Sequence, residues 1–171
     1  DNTGKVWSLG GNSSGQLGHG DTTSRQVATR IEYFVANSLA IADIFASGDA
    51  AGTADYVFFV TTGGAAYACG NNGNGQLGLG DTTQRTTPTL VTAVSSVARV
   101  TCAGNTSPHT LLITTAGALW TTGYNGAGQL GQGDTTQRTT FTVVSGFTNA
   151  SKAAASGSST ASVGNSYVLK T

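Results

Sequence analysis

The chain has 171 residues and only 9% of them are charged, eight basic against eight acidic for a formal net charge of zero, where an average soluble domain carries about 25%. The basic residues are scattered from Lys5 to Lys170, which argues against the clustered cations that phosphate binding needs and so against a nucleic-acid partner or an anionic membrane surface. No stretch approaches the ~18 apolar residues of a membrane helix, and with 25 glycines and many threonine pairs the predicted surface is neutral and rich in hydroxyls.

In chain order, a first strand carrying Trp7 runs to Gly10, and Asn12 leads into Gly15-Gln16-Leu17-Gly18, followed by Asp21 and Arg25. Glycine and asparagine supply the positive-φ conformations of a tight reversal between strands. Leu17 is expected to plug apolar space between units, Gln16 to hydrogen-bond across a unit boundary, and Asp21 to cap its own turn while facing the arginine four residues on. From Tyr33 to Ala42, Ile31, Phe34, Val35 and Leu39 mark the face of a helical turn, the one place where glycine and β-branched threonine do not disfavour helix. Arg25 to Gly48 spans 23 positions and Gly48 to Thr61 spans 13, against 19 from Arg85 to Gly104 and 10 from Gly104 to Thr114. The extra residues therefore sit in two loops.

A second copy of the turn follows the strand of Tyr67, as Gly70, Asn72, Gly75-Gln76-Leu77-Gly78, Asp81, Arg85 and Pro88. Strands are then predicted over 97–103, 110–114, 118–122 and 141–144, short runs of Val, Thr and aromatics bounded by glycines. Between the last two lies the third copy, Gly123, Asn125, Gly128-Gln129-Leu130-Gly131, Asp134 and Arg138. His109 is matched to Asp55 and Ser166 in the flanking units, and the last strand, 168–171, stops where a further aromatic strand would begin. The chain has no methionine, so Asp1 is expected to be a processed or interior point of a longer protein.

Four short strands per unit of about fifty residues is the signature of a β-propeller. The predicted fold is all-β, with four-stranded antiparallel blades, about three of them forming a partial propeller, as a single domain over 1–171. The pattern resembles the repeats of the regulator of chromosome condensation family. The middle unit carries it most fully: Ala103-Gly104, the His109 to Ile113 strand, Gly117, Trp120, Gly123 and Gly128 to Gly131, with Arg85 and Pro88 just before. The proline is lost after Arg25, and Phe141 stands in its place near Arg138. The resemblance implies a seven-bladed whole needing roughly 370 residues. The two open radial faces of a three-blade arc are expected to be covered by the remaining blades of the same chain or by self-association. A kelch-like propeller is the rival, but its paired glycine is hinted at only by Gly63-Gly64.

No catalytic set is apparent and no cofactor or metal is expected. Asp21, Asp81 and Asp134 recur as possible calcium ligands, yet each lacks neighbouring carboxylates and is read as structural. Trp7, Tyr67 and Trp120 share one repeat position and are assigned to blade packing, with a sugar-stacking surface as the lesser reading. Cys69 and Cys102 are read as buried thiols, with a bridge between them left open. The sequons at Asn12, Asn105 and Asn149 match by chance in so serine- and threonine-rich a chain. The functional expectation is a non-enzymatic protein-interaction or structural module, extracellular, on a cell surface or in a phage particle, with a protein partner. Its binding residues are expected in irregular positions, Asp49 to Asp55 and Asn105 to Pro108. The alternative that the resemblance implies is a guanine-nucleotide exchange factor or chromatin-associated regulator.

Overall fold

Strands here are short because glycine turns interrupt every apolar run, and twelve of them are present with one helical turn among the described residues. The computed structural model describes residues 5–48, 55–157 and 164–171. The first two strands, β1 (Trp7–Gly10) and β2 (Arg25–Arg30), pair with each other alone; α1 (Glu32–Ala36) follows. Two four-stranded antiparallel blades come next. One is β3 (Ile41–Ser47), β4 (Tyr56–Thr61), β5 (Ala66–Gly70) and β6 (Arg85–Leu90); the other is β7 (Val97–Ala103), β8 (His109–Thr114), β9 (Leu119–Gly123) and β10 (Arg138–Val143). The last pair, β11 (Ala150–Ser156) and β12 (Asn165–Lys170), stands as a second two-stranded sheet. The chain is thus all-β, a partial propeller of two whole blades flanked by two halves.

The strands of the middle unit lie where the apolar runs place them, except that β10 starts three residues before 141, because Arg138 pairs with Gly123 ahead of a bulge. The helical turn is shorter than the predicted face. Ser38 takes a φ of 54°, which no helix continues through, and the Leu39 amide closes the turn on the Phe34 carbonyl at 2.8 Å. Phe34 is buried and meets the Phe59 ring edge-on at 4.8 Å, so this insertion roofs the apolar space between the β1–β2 half and the first blade.

Apolar side chains collect between neighbouring sheets. Between the two whole blades lie Phe58, Leu77, Val91, Val100, Leu112 and Phe141, and between the second blade and β11–β12 lie Leu111, Ile113, Leu119 and Val144. The first strands of successive blades converge, β7 packing against both β3 and β11. A Cβ on Gly104 would come within 3.0 Å of the Gly48 carbonyl oxygen, and one on Gly157 would collide with that of Gly104. Three glycines at one repeat position therefore set how closely the inner strands approach.

The ladders correct one alignment. Ala103 faces His109, Ser47 faces Tyr56 and Ser156 faces Asn165, so the counterparts of His109 are Tyr56 and Asn165. Asp55 and Ser166 are each one residue off, displaced by the unequal loops before them.

Candidate functional site: the repeated loop

The three loops joining the third and fourth strand of each unit are built alike. In the second, Asn72 is fully buried and its amide donates to the Asp81 backbone carbonyl (3.0 Å) and carboxylate (3.1 Å), while its own oxygen accepts from the Leu77 amide at 3.0 Å. Asp81 caps the Thr83 amide at 2.9 Å and holds Arg85 at 2.6 Å, and Arg85 in turn donates to the Thr83 carbonyl. Asn12, Asp21 and Arg25 repeat this arrangement, as do Asn125, Asp134 and Arg138. In all three the arginine hydrogen bond, followed by the capped threonine amide, holds the aspartate below the usual carboxylate range. The charges are thus paired within the loop, with each aspartate side chain still 42–44% exposed. Beside these ion pairs each loop exposes a neutral tip: Thr22, Thr23 and Ser24, then Thr82, Thr83 and Gln84, then Thr135, Thr136 and Gln137.

The leucines Leu17, Leu77 and Leu130 are buried between units. The glutamines differ from expectation. Each side-chain oxygen accepts a local amide, Ser14, Asn74 or Ala127, and only Gln16 crosses to another blade with its side chain, to Asp55 at 3.0 Å. Gln76 turns back to Asn71 at 2.7 Å, and the Gln129 side-chain nitrogen has no partner among the described residues. Backbone carbonyls do the crossing instead, Gln76 accepting from Thr110 at 2.8 Å and Gln129 from Ser166 at 2.8 Å.

The loop also docks on the blade that follows. The Gly20 amide donates to the Thr86 carbonyl and the Gly80 amide to the Thr139 carbonyl, both at 2.9 Å. A Cβ on Gly15 or Gly75 would lie 2.7 or 2.6 Å from the Cα of Thr86 or Thr139, and one on Gly78 would strike the Phe141 ring at 2.3 Å. Glycine is required there by contact. Gly18 and Gly78 sit against Pro88 and Phe141, both buried, which is why proline and phenylalanine exchange at that position.

Two histidine–serine contacts add to the features expected from the repeat. His109 is buried, with Nδ1 on the Ser107 carbonyl (2.9 Å) and Nε2 on the Ser166 hydroxyl (3.0 Å); Ser8 meets His19 at 2.9 Å. Each serine hydroxyl also lies within hydrogen-bond distance of a backbone carbonyl, Leu17 for Ser8 (2.9 Å) and Gln129 for Ser166 (2.8 Å). At His19 the Ser8 proton is taken by the Leu17 carbonyl, so Nε2 donates to Ser8; at His109 the Nδ1–H is taken by the Ser107 carbonyl, so Nε2 of the neutral ring accepts and competes with the Gln129 carbonyl for the Ser166 proton. Burial lowers the pKa of both histidines, with Arg25 adding to the effect at His19. His109 is matched in the first blade by Tyr56, whose buried hydroxyl donates to the His109 carbonyl (2.8 Å) and accepts from the Ala103 amide (3.1 Å). No signal in the sequence marks the ties of His109 and Tyr56, because they join residues about fifty positions apart.

Of the aromatic candidates, Tyr67 is buried and Trp120 packs against the core between the blades, while Trp7 is exposed. Cys69 and Cys102 are free; burial pushes both thiols up, and each points at a carbonyl of the preceding unit, Gln16 or Phe45. In the Asn105 to Pro108 loop, Ser107 and Pro108 are buried, leaving only Thr106 fully at the surface, so most of it is packing and not a free edge. Of the other loop expected to bind, 49–54 lie outside the described residues.

The model of the "Regulator of chromosome condensation (RCC1) repeat" matches residues 3–51 and 63–108, more than half of the chain. The chain is 38% identical over 133 residues to the Ultraviolet-B receptor UVR8 of Arabidopsis thaliana, covering 77% of this chain and 28% of the receptor. It is 43% identical over 95 residues to the X-linked retinitis pigmentosa GTPase regulator of Homo sapiens, covering 54% of this chain and 9% of the regulator. Among solved structures, human WBSCR16 superposes with a TM-score of 0.72 at 21% identity, over 90% of this chain and 39% of that one. Prp20p of Saccharomyces cerevisiae, whose structure was described together with its binding to Gsp1p and histones, gives 0.70 at 16% over 90% and 37%. The chain spans well under half of each of these proteins.

Proposed function

Since this chain belongs to the regulator of chromosome condensation repeat family, whose propeller fold it shares, we propose that it is a non-enzymatic protein-interaction or structural module that presents its repeated loops to a protein partner outside the cell, on a surface or in a phage particle. The observation that carries this reading is the loop itself. Three copies pair their aspartate with their arginine and carry threonine with serine or glutamine at the exposed tip, a display with no net charge, suited to hydrogen-bonded contact and without the charge excess that steers a GTPase or a nucleosome.

The second reading is an exchange factor or chromatin-associated regulator. It is favoured by the fold shared with Prp20p, a protein described as binding Gsp1p and histones. Release of a fluorescent guanine nucleotide from a small GTPase separates the two: the module reading expects no acceleration by the chain, and a clear acceleration would transfer the assignment to the second. An antibody against the chain that labels source cells only after permeabilisation would remove the extracellular setting.

A further inference from the structure

All three Asn-Gly pairs of the chain lie in the repeated loop, at 72–73, 74–75 and 125–126. An asparagine before glycine is open to attack by its neighbour's amide nitrogen, because glycine has no side chain to block the approach and bends freely. Hydroxide removes the proton from that nitrogen, which bonds to the asparagine Cγ; the Cγ–Nδ2 bond breaks, and Nδ2 takes a proton from water to leave as ammonia. Water then opens the succinimide ring at either carbonyl. The product is aspartate or, with the main chain rerouted through the side chain, isoaspartate. No reagent but water is needed.

The closed loop withholds both reactants. At Asn72 the carboxamide is engaged at each end, Nδ2 by the Asp81 carbonyl and carboxylate and Oδ1 by the Leu77 amide, and the attacking Gly73 amide donates to the Asn71 side-chain oxygen at 3.0 Å. At Asn125, Nδ2 meets the Asp134 carbonyl (3.0 Å), its carboxylate (3.2 Å) and the Thr136 carbonyl (3.0 Å), while Oδ1 accepts from Leu130 at 2.9 Å. Both side chains are fully buried, and Cγ cannot swing onto the next nitrogen while these bonds stand. Asn74 is half-buried, with no side-chain hydrogen bond among the described residues; only its attacking nitrogen is held, the Gly75 amide donating to the Asn72 carbonyl at 2.8 Å. In the first unit the pair is Asn12-Ser13. Ser13 is exposed as Gly73 is, and a Cβ on Gly73 would meet the Asn71 side-chain oxygen at an ordinary 3.6 Å, so the loop itself does not require glycine there.

We propose that Asn72 and Asn125 are self-modification sites, shut by the closed loop and reactive when it opens, and that the modified loop cannot close as before. A carboxylate at 72 removes the donor to the Asp81 carbonyl and sets a negative charge where Nδ2 lies 3.1 Å from the Asp81 carboxylate, leaving a buried acceptor unpaired and two like charges together. The same follows at 125 beside Asp134. Isoaspartate adds a further main-chain atom to a turn whose hydrogen bonds fix its length. The loop thus records the time that the chain has spent open.

Peptide mass spectrometry of the chain held in mildly alkaline buffer, folded and in urea, tests this, since the products are heavier by the exchange of NH2 for OH and the isoaspartyl peptide elutes apart. In urea the three pairs are expected to react at similar rates. In the folded chain Asn74 is expected to react first, and Asn72 and Asn125 at least about tenfold more slowly than in urea. Gly73→Ser, which copies Ser13, should slow the reaction of Asn72 in urea and leave that of Asn125 unchanged. Asn72→Asp, the product made directly, is expected to lower the urea midpoint or abolish the folded state, while Asn74→Asp keeps the midpoint. Asn72 or Asn125 reacting as fast folded as in urea, or ahead of Asn74 in the folded chain, would overturn the proposal. So would an Asn72→Asp chain as stable as the Asn74→Asp chain.

Discussion

Asn72 shows how much one side chain does in this protein. It is buried, and it uses its donor on Asp81 and its acceptor on Leu77, so it replaces a turn of backbone hydrogen bonding that glycine-rich sequence cannot supply by itself. Asn72→Ala leaves the Leu77 amide and the Asp81 carbonyl without partners, at about 1–3 kcal/mol. Urea unfolding should show a lower midpoint with an unchanged slope, the shift multiplied by the slope giving that loss, and a loss under about 0.5 kcal/mol would mean that water replaces the amide. The triple recurrence of Asn, Gly-Gln-Leu-Gly, Asp and Arg makes the loop legible in the sequence itself. The glutamine roles are not legible there, because a side-chain amide that satisfies a local amide and one that reaches another blade differ by a rotamer and not by residue type.

At the scale of strands, short apolar runs and glycine boundaries locate the elements of the middle unit closely, since the two central strands of each whole blade are buried on both faces, as in Tyr56–Thr61 and His109–Thr114. Alignment fails by one residue at Asp55 and Ser166, where loops of unequal length precede the strand and only the ladder fixes the register. That error hides Tyr56. Its hydroxyl ties β4 to both β7 and β8 from within the core, so Tyr56→Phe keeps the ring packing and strips the Ala103 amide of its acceptor. A loss of about 1–3 kcal/mol is expected, larger than for Tyr33→Phe, a half-buried ring outside this tie; equal losses in thermal melts would show the tie to be idle.

For the whole molecule, composition and the repeat foretell an all-β partial propeller, and family membership agrees with it. Acid should dismantle it in two stages. Buried His109 and half-buried His19 have folded pKa values below their ordinary value of about 6.5, so the unfolded chain takes up protons first; their contribution is complete above that pH and is lost as pH falls below it. The aspartates of the three loops are held low by arginine, so their contribution lasts until pH drops below about 3.8. Stability measured against pH should fall gently from about 6.5 and again below about 3.8, and His109→Gln should flatten the first descent. An unaltered profile in that variant would assign the step to other groups.

The Gly-Asp-Thr-Thr-Gln-Arg-Thr-Thr strings at 80–87 and 133–140 give successive blades nearly the same ridge for the preceding loop to dock on. A refolding chain therefore meets two almost equivalent seats for one loop. The buried residue just past each string differs in size, proline at 88 and phenylalanine at 141, and Gly78 lies against the larger ring. That one position tells the two seats apart, proline against the loop of the first unit and phenylalanine against that of the second, and exchanging Pro88 with Phe141 is expected to slow refolding, followed by stopped-flow fluorescence, before it alters the finished structure.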